Sequence, residues 1–134
     1  LDEEDEDVVV VIASVTAGLE SGQQEVTFVI TDDDEPPTVI LTTSDASIDE
    51  ATGTSTITAT LSAVSGKEVT IALDYTASSA TLTTDYTRSA TLITIPIGSP
   101  SGTVVVTAVQ DVLDEVDEHV IVDISSITNG VKGG

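Results

Sequence analysis

The opening segment, Leu-Asp-Glu-Glu-Asp-Glu-Asp-Val-Val-Val-Val-Ile, returns near the other end of the chain as Leu-Asp-Glu-Val-Asp-Glu-His-Val-Ile-Val-Asp-Ile. Leu113 falls on Leu1, an offset of 112 residues, and the alignment runs without a gap to Gly134 on Gly22. Asp2 meets Asp114, Glu3 meets Glu115, Asp5 meets Asp117, Glu6 meets Glu118, Ile12 meets Ile124 and Gly18 meets Gly130. A period this long is a whole domain rather than one turn of a solenoid. The 134 residues therefore divide into residues 1–35, the acidic loop and last two strands of one unit with a linker, and residues 36–134, a following unit that lacks its final strand.

The repeated unit reads as strands. Val, Ile and Thr alternate in short runs bounded by Gly, Ser, Asp and Pro, and no stretch keeps a helical period. In the second unit strands are expected near 38–43, 54–61, 68–76, 90–96, 102–109 and 119–126. Aromatics are 2% of the chain and Cys, Met and Trp are absent, so the core must be aliphatic and carries no disulfide. Thr54, Thr56, Thr58 and Thr60 fall on one face of their strand and Ser55, Ile57 and Ala59 on the other, as any half-exposed strand requires. Tyr75 and Tyr86 are expected to pack against the core, and Asn129-Gly130 to turn the chain.

The strand Glu25-Val26-Thr27-Phe28-Val29-Ile30-Thr31 has no counterpart after the second copy. It is not expected to serve both units within one chain. A sandwich strand ending at the acidic pole lies roughly 20–25 Å from the pole where Thr38 begins. The bridge Glu35-Pro36-Pro37 spans only about 10 Å. The two prolines instead suggest a stiff, extended joint.

Charge selects the company this chain keeps. There are 24 acidic residues against three basic ones, Lys67, Arg88 and Lys132, for a net charge of −21. Nothing here neutralises phosphate, so nucleic acid and anionic membranes are excluded as expected partners, and no apolar run is long enough to cross a bilayer. Asp111, Asp114, Glu115, Asp117 and Glu118 crowd one loop, and Asp32, Asp33 and Asp34 close the earlier strand. Antiparallel pairing should bring the 1–6 loop beside that Asp triplet. Two carboxylates about 5 Å apart repel by roughly 3 kcal/mol at an effective dielectric near 20. Calcium relieves such crowding because it takes six to eight oxygen ligands in loose geometry, whereas zinc prefers nitrogen and sulfur. His119 is the only His, no nucleophile is placed for it, and its aligned position is Asp7, so an enzyme is not expected.

Three stretches, Val39 to Ser62 with Ser47-Ile48-Asp49-Glu50 inside it, Val69 to Thr87 ending in Asp85-Tyr86-Thr87, and Ala90 to Ser125, resemble the Calx-β domain family. Val26 to Leu41, with its Asp triplet and prolines, resembles the junction between two such domains. The resemblance implies an immunoglobulin-like antiparallel β-sandwich that binds calcium at one end and recurs in tandem in large extracellular and cell-surface proteins. It further implies a second-unit calcium site at Glu50, Asp85, Asp111, Glu115, Glu118 and the carbonyl of Leu113. The first-unit set would be Glu3, Glu6, the carbonyl of Leu1, and Asp32, Asp33 and Asp34. Thr83 and Thr84 stand where the family usually has a small residue or Gly shortly before the Asp-Tyr pair.

The expected function is that of a non-enzymatic spacer in a surface or adhesin-like protein, stiffened by calcium, whose partners are calcium ions and adjacent repeats or neighbouring subunits. Two readings stay beside it: a ligand-binding or filament-forming module that exchanges a strand between chains, and a calcium-sensing regulatory domain.

Overall fold

The computed structural model covers residues 1–134, and its regular structure is strand alone. The elements are β1 (Glu6–Val11), β2 (Glu25–Ile30), β3 (Thr38–Thr43), β4 (Thr54–Leu61), β5 (Val69–Asp74), β6 (Tyr86–Arg88), β7 (Leu92–Ile95), β8 (Ser101–Ala108), β9 (Asp123–Thr128) and β10 (Val131–Lys132). The alternation legible in the sequence becomes alternation of burial. In β4, Ser55, Ile57, Ala59 and Leu61 are buried while the threonines between them are not. In β5, Val69, Ile71 and Leu73 are buried and Thr70, Ala72 and Asp74 are less so.

Two sheets share those buried faces. One has the order β10-β3-β4-β8-β6 and the other β7-β5-β9. Their inward side chains form a single core of Val39, Ile57, Ala59, Leu61, Val69, Ile71, Leu73, Ile93, Ile95, Val104 and Val106, with Tyr75 and Tyr86 at one end. The two rings stack with centroids 6.4 Å apart, and the Arg88 guanidinium sits 4.4 Å above Tyr75. Gly102 allows a close approach of the two sheets, since a Cβ there would lie 2.7 Å from Cγ2 of Ile93.

β1 and β2 stand apart as a two-stranded antiparallel sheet of their own. Every residue of β2 is exposed, and in β1 only Val8 is half-buried. The hairpin meets the sandwich through its acidic foot: the Gly66 N–H donates to the carbonyl of Asp2 at 2.8 Å.

Four details depart from the expected pattern. The last long strand starts at Asp123, not near 119, because the N–H groups of His119 and Ile121 donate to the Ser79 and Ser78 hydroxyls and not to a strand's backbone. Strand β6 was not anticipated: three residues carry no period, and their pairing with β8 creates the element. β10 likewise forms only by pairing with β3. That pairing is parallel, so the sandwich is antiparallel everywhere except at this two-residue strand and an isolated Leu82–Tyr86 bridge.

Candidate metal centre

Three loops share one end of the sandwich. The β3–β4 loop carries Glu50, the β5–β6 loop carries Asp85, and the β8–β9 loop carries Asp111, Leu113, Glu115 and Glu118. Antiparallel topology dictates the meeting, since β3, β5 and β8 end where β4, β6 and β9 begin. Hydrogen bonds then pin the loops to one another. The Asp111 N–H donates to Oε1 of Glu50 at 3.0 Å, and the Leu113 N–H donates to Oδ1 of Asp111 at 2.7 Å. The Val109 N–H donates to the carbonyl of Asp85 at 2.9 Å, and Oδ2 of Asp85 accepts from the Thr81 N–H at 2.5 Å. The turn before Asp85 places Thr83 at φ 75°, a left-handed conformation costly for a β-branched residue.

Loss of hydration, then the charges of Asp111, Asp85 and Glu50, hold the Glu115 carboxyl above its ordinary value of 4.5. Loss of hydration, followed by a hydrogen bond and charge repulsion from Asp85, raises Glu118 in the same direction. No lysine or arginine answers them. Lys67 pairs with Asp2, Lys132 pairs with Asp123, and Arg88 lies over Tyr75. Asp85 and Asp111 are half-buried, whereas Glu50, Leu113, Glu115 and Glu118 are exposed. The donors are all oxygen, as calcium prefers. No three carboxylates in the chain are gathered into a group that would itself hold an ion.

The first-unit set converges differently. Across the β1–β2 register Glu6 faces Ile30, which sets the 1–5 segment beside 31–34. The Glu3 N–H donates to Oδ2 of Asp32 at 3.0 Å, and the Asp32 N–H donates to Oδ1 of Asp5 at 2.9 Å. The bond from Glu3 is the main reason the Asp32 carboxyl lies below its ordinary 3.8. The amino group of Leu1 contacts Asp34. No hydrogen bond joins Glu6 or Asp33 to this group.

Asp2 plays a role that sequence reasoning missed. It is 5% exposed, the one buried carboxylate of the chain, and it takes an ion pair from Lys67 at 3.1 Å and a hydrogen bond from Ser65 at 3.3 Å. Within a run of acids it looks like one more solvated side chain. Its partners lie 63 and 65 residues away.

The raised carboxyls predict a pH profile. Between 4.5 and their folded values Glu115 and Glu118 hold more protons folded than unfolded, so stability falls as pH rises through that window. Asp32, Asp74 and Asp123 are depressed below 3.8 and remove stability only at lower pH. With chelator present, the melting temperature should rise as pH is lowered from neutrality and peak near pH 4.5. A steady fall over that range, measured by scanning calorimetry, refutes it.

Comparison with protein-family models, with curated proteins and with solved structures finds no match to this chain.

Proposed function

We propose that this chain is a non-enzymatic, calcium-binding β-sandwich repeat of the Calx-β type, working as a spacer in an extracellular or cell-surface protein. One observation carries the reading: five carboxylates from three separate loops share one pole without a lysine or arginine, and two of them are raised by loss of hydration and then by their acidic neighbours. Glu50, Asp85, Asp111, Glu115, Glu118 and the Leu113 carbonyl would hold the ion. Calcium would supply the positive charge that lets these groups ionise together, and would tie the three loops to one another.

The joint supports a mechanical role. Asp2 docks the acidic foot of the hairpin onto the β4–β5 turn, and Pro37 is buried as the chain enters β3. A second carboxylate group, Glu3, Glu6 and Asp32 to Asp34 with the Leu1 carbonyl, stands at that joint. A cation there would brace the hairpin against the sandwich, which is how occupancy would set stiffness.

The test is calorimetric titration of the chelator-stripped chain. Calcium should bind, magnesium should bind much more weakly, and Asp85→Asn with Glu115→Gln should lower calcium affinity by about tenfold or more. Asp74→Asn, on β5 outside the ligand set, should leave affinity unchanged. Calcium binding indifferent to the Asp85 and Glu115 changes overturns the assignment.

A further inference from the structure

The loop between β4 and β5, residues 62–68, grips the hairpin at two points. Where the chain passes from hairpin to sandwich, the Thr38 N–H donates to Ser62 Oγ and the Ser62 N–H donates to the carbonyl of Thr38, both at 2.9 Å. The second point is Asp2. Its carbonyl accepts from the Gly66 N–H at 2.8 Å, Ser65 Oγ lies 3.3 Å from both that carbonyl and Oδ2, and Lys67 Nζ donates to Oδ1 at 3.1 Å. The receiving turn is fixed from the sandwich side. The Ser65 hydroxyl, 1% exposed, accepts from the Lys67 N–H at 2.9 Å, and the Ser65 carbonyl accepts from the Gly98 N–H at 2.9 Å.

Gly66 shows that the turn is shaped for its occupant. A Cβ there would lie 3.0 Å from Cβ of Glu3, 3.1 Å from the carbonyl oxygen of Asp2 and 3.5 Å from Cδ2 of Leu1. These three nearest atoms all belong to the foot of the hairpin. Gly66 has no positive φ, so the backbone of the turn asks for no glycine. What the glycine supplies is room for the foot.

Charge matches shape. Lys67 is one of three basic residues against 24 acidic ones, and its ammonium stands against Asp2 with Glu4 at 3.6 Å. The hydrogen bond to Asp2 is the main cause holding that ammonium above its ordinary 10.5. The Asp32 carboxyl, lowered first by bonds from the Glu3 and Asp34 amides, is lowered further by the Lys67 charge. At the acidic pole, where no lysine or arginine enters, Glu115 and Glu118 are raised instead. Losing one member of a buried pair leaves the other uncompensated, so an uncharged residue at position 67 would expel the foot.

We propose that Ser65, Gly66 and Lys67 form a receptor for the acidic loop of the preceding unit, with Lys67 as its cation, so that consecutive units dock at a fixed angle without a metal. A backbone N–H, a hydroxyl and an ammonium recognise one aspartate, and the glycine admits the chain that carries it. Calcium at Asp32 to Asp34 would add to a joint already closed. The inference rests on the repeat reading of residues 1–35 and not on calcium binding.

The chain has no Cys, so spin labels can be placed at will on the exposed sites Gln23→Cys, at the far end of the hairpin, and Thr103→Cys, on β8. In chelator, dipolar electron resonance on the full chain should give one narrow distance distribution, and saturating calcium should leave its centre in place. Gly66→Ala, which crowds the foot, and Lys67→Met, which keeps the stem and removes the charge, should each roughly double its width, because relative motion is the default between units that share a small contact. The urea midpoint of Gly66→Ala should stay close to that of the unaltered chain, and a large fall there overturns the role given to Gly66. A broad distribution in the unaltered chain, or narrow ones in both variants, overturns the proposal. A distribution that narrows only when calcium is added defeats the receptor alone. A narrow one in a chain that binds no calcium defeats the calcium reading alone.

Discussion

At a calcium concentration a hundredfold above its dissociation constant, the melting temperature of the chelator-stripped chain is expected to rise by roughly 10 °C. Binding to the folded state alone contributes about 2.7 kcal/mol at that excess. For a domain of this size a kilocalorie is worth roughly 3–5 °C. The effect should be this large because the ion would act on a destabilising term: Glu115 and Glu118 ionise against their neighbours with no lysine or arginine in reach. Chelator should return the original transition, and magnesium, which demands stricter octahedral geometry and sheds water reluctantly, should reproduce little of the rise. The shift should shrink as pH is lowered to 4.5, by which point the raised Glu115 and Glu118 carboxyls have taken up protons. Identical melting curves with calcium and with chelator would remove the functional role assigned to the acidic pole.

Ile71→Ala should be the most damaging single truncation in the sandwich. Ile71 is fully buried at the centre of β5, between Ile93 of β7 and Ile127 of β9. Removing a buried Ile side chain to Cβ costs about 2–5 kcal/mol, the lost transfer energy plus the cavity left behind. The total stability of a domain is about 5–15 kcal/mol, so the loss is a large share of it. With no Trp or Met and a single Phe that lies outside the core, the aliphatic core has few large neighbours to collapse into the gap. Urea titration should show a lower midpoint with little change in slope. Ile40→Ala on β3, where the side chain is 52% exposed, should shift the midpoint far less. Equal effects at the two positions would contradict the core described above.

Expected and observed strands agree best where one face is buried. Residues 38–43 and 54–61 form β3 and β4 as expected, because Val39, Ile57, Ala59 and Leu61 impose a period of two that only a half-buried strand satisfies. Agreement weakens where pairing rather than burial makes the strand. Residues 86–88 become β6 by lying against β8. Residues 119–122 have the composition of a strand yet are none, because the N–H groups of His119 and Ile121 donate to the Ser79 and Ser78 hydroxyls and not to the backbone of a neighbouring strand. Their counterparts at 7–10, nearly the same residues, are a strand because β2 lies beside them. Composition cannot separate those two cases, since the difference lies in a neighbour.

The candidate site divides the same way. Carboxylates, like β-branched residues, announce their local character, so the acidic loops and the absence of soft donors were legible along the chain. The contact of Asp111 with Glu50 across 61 residues follows from three antiparallel strand ends meeting at one pole. Asp2 is the harder case: its neighbours in sequence are exposed and it alone is buried, held by Lys67 on a turn that the hairpin reaches only after folding. Local sequence thus determined which segments are extended, which face of each is apolar, and where carboxylates crowd along the chain. Tertiary structure alone decided which extended segments gain a paired neighbour, which of many acids is buried, and where the three basic residues are engaged, because each depends on the distance between groups far apart along the chain.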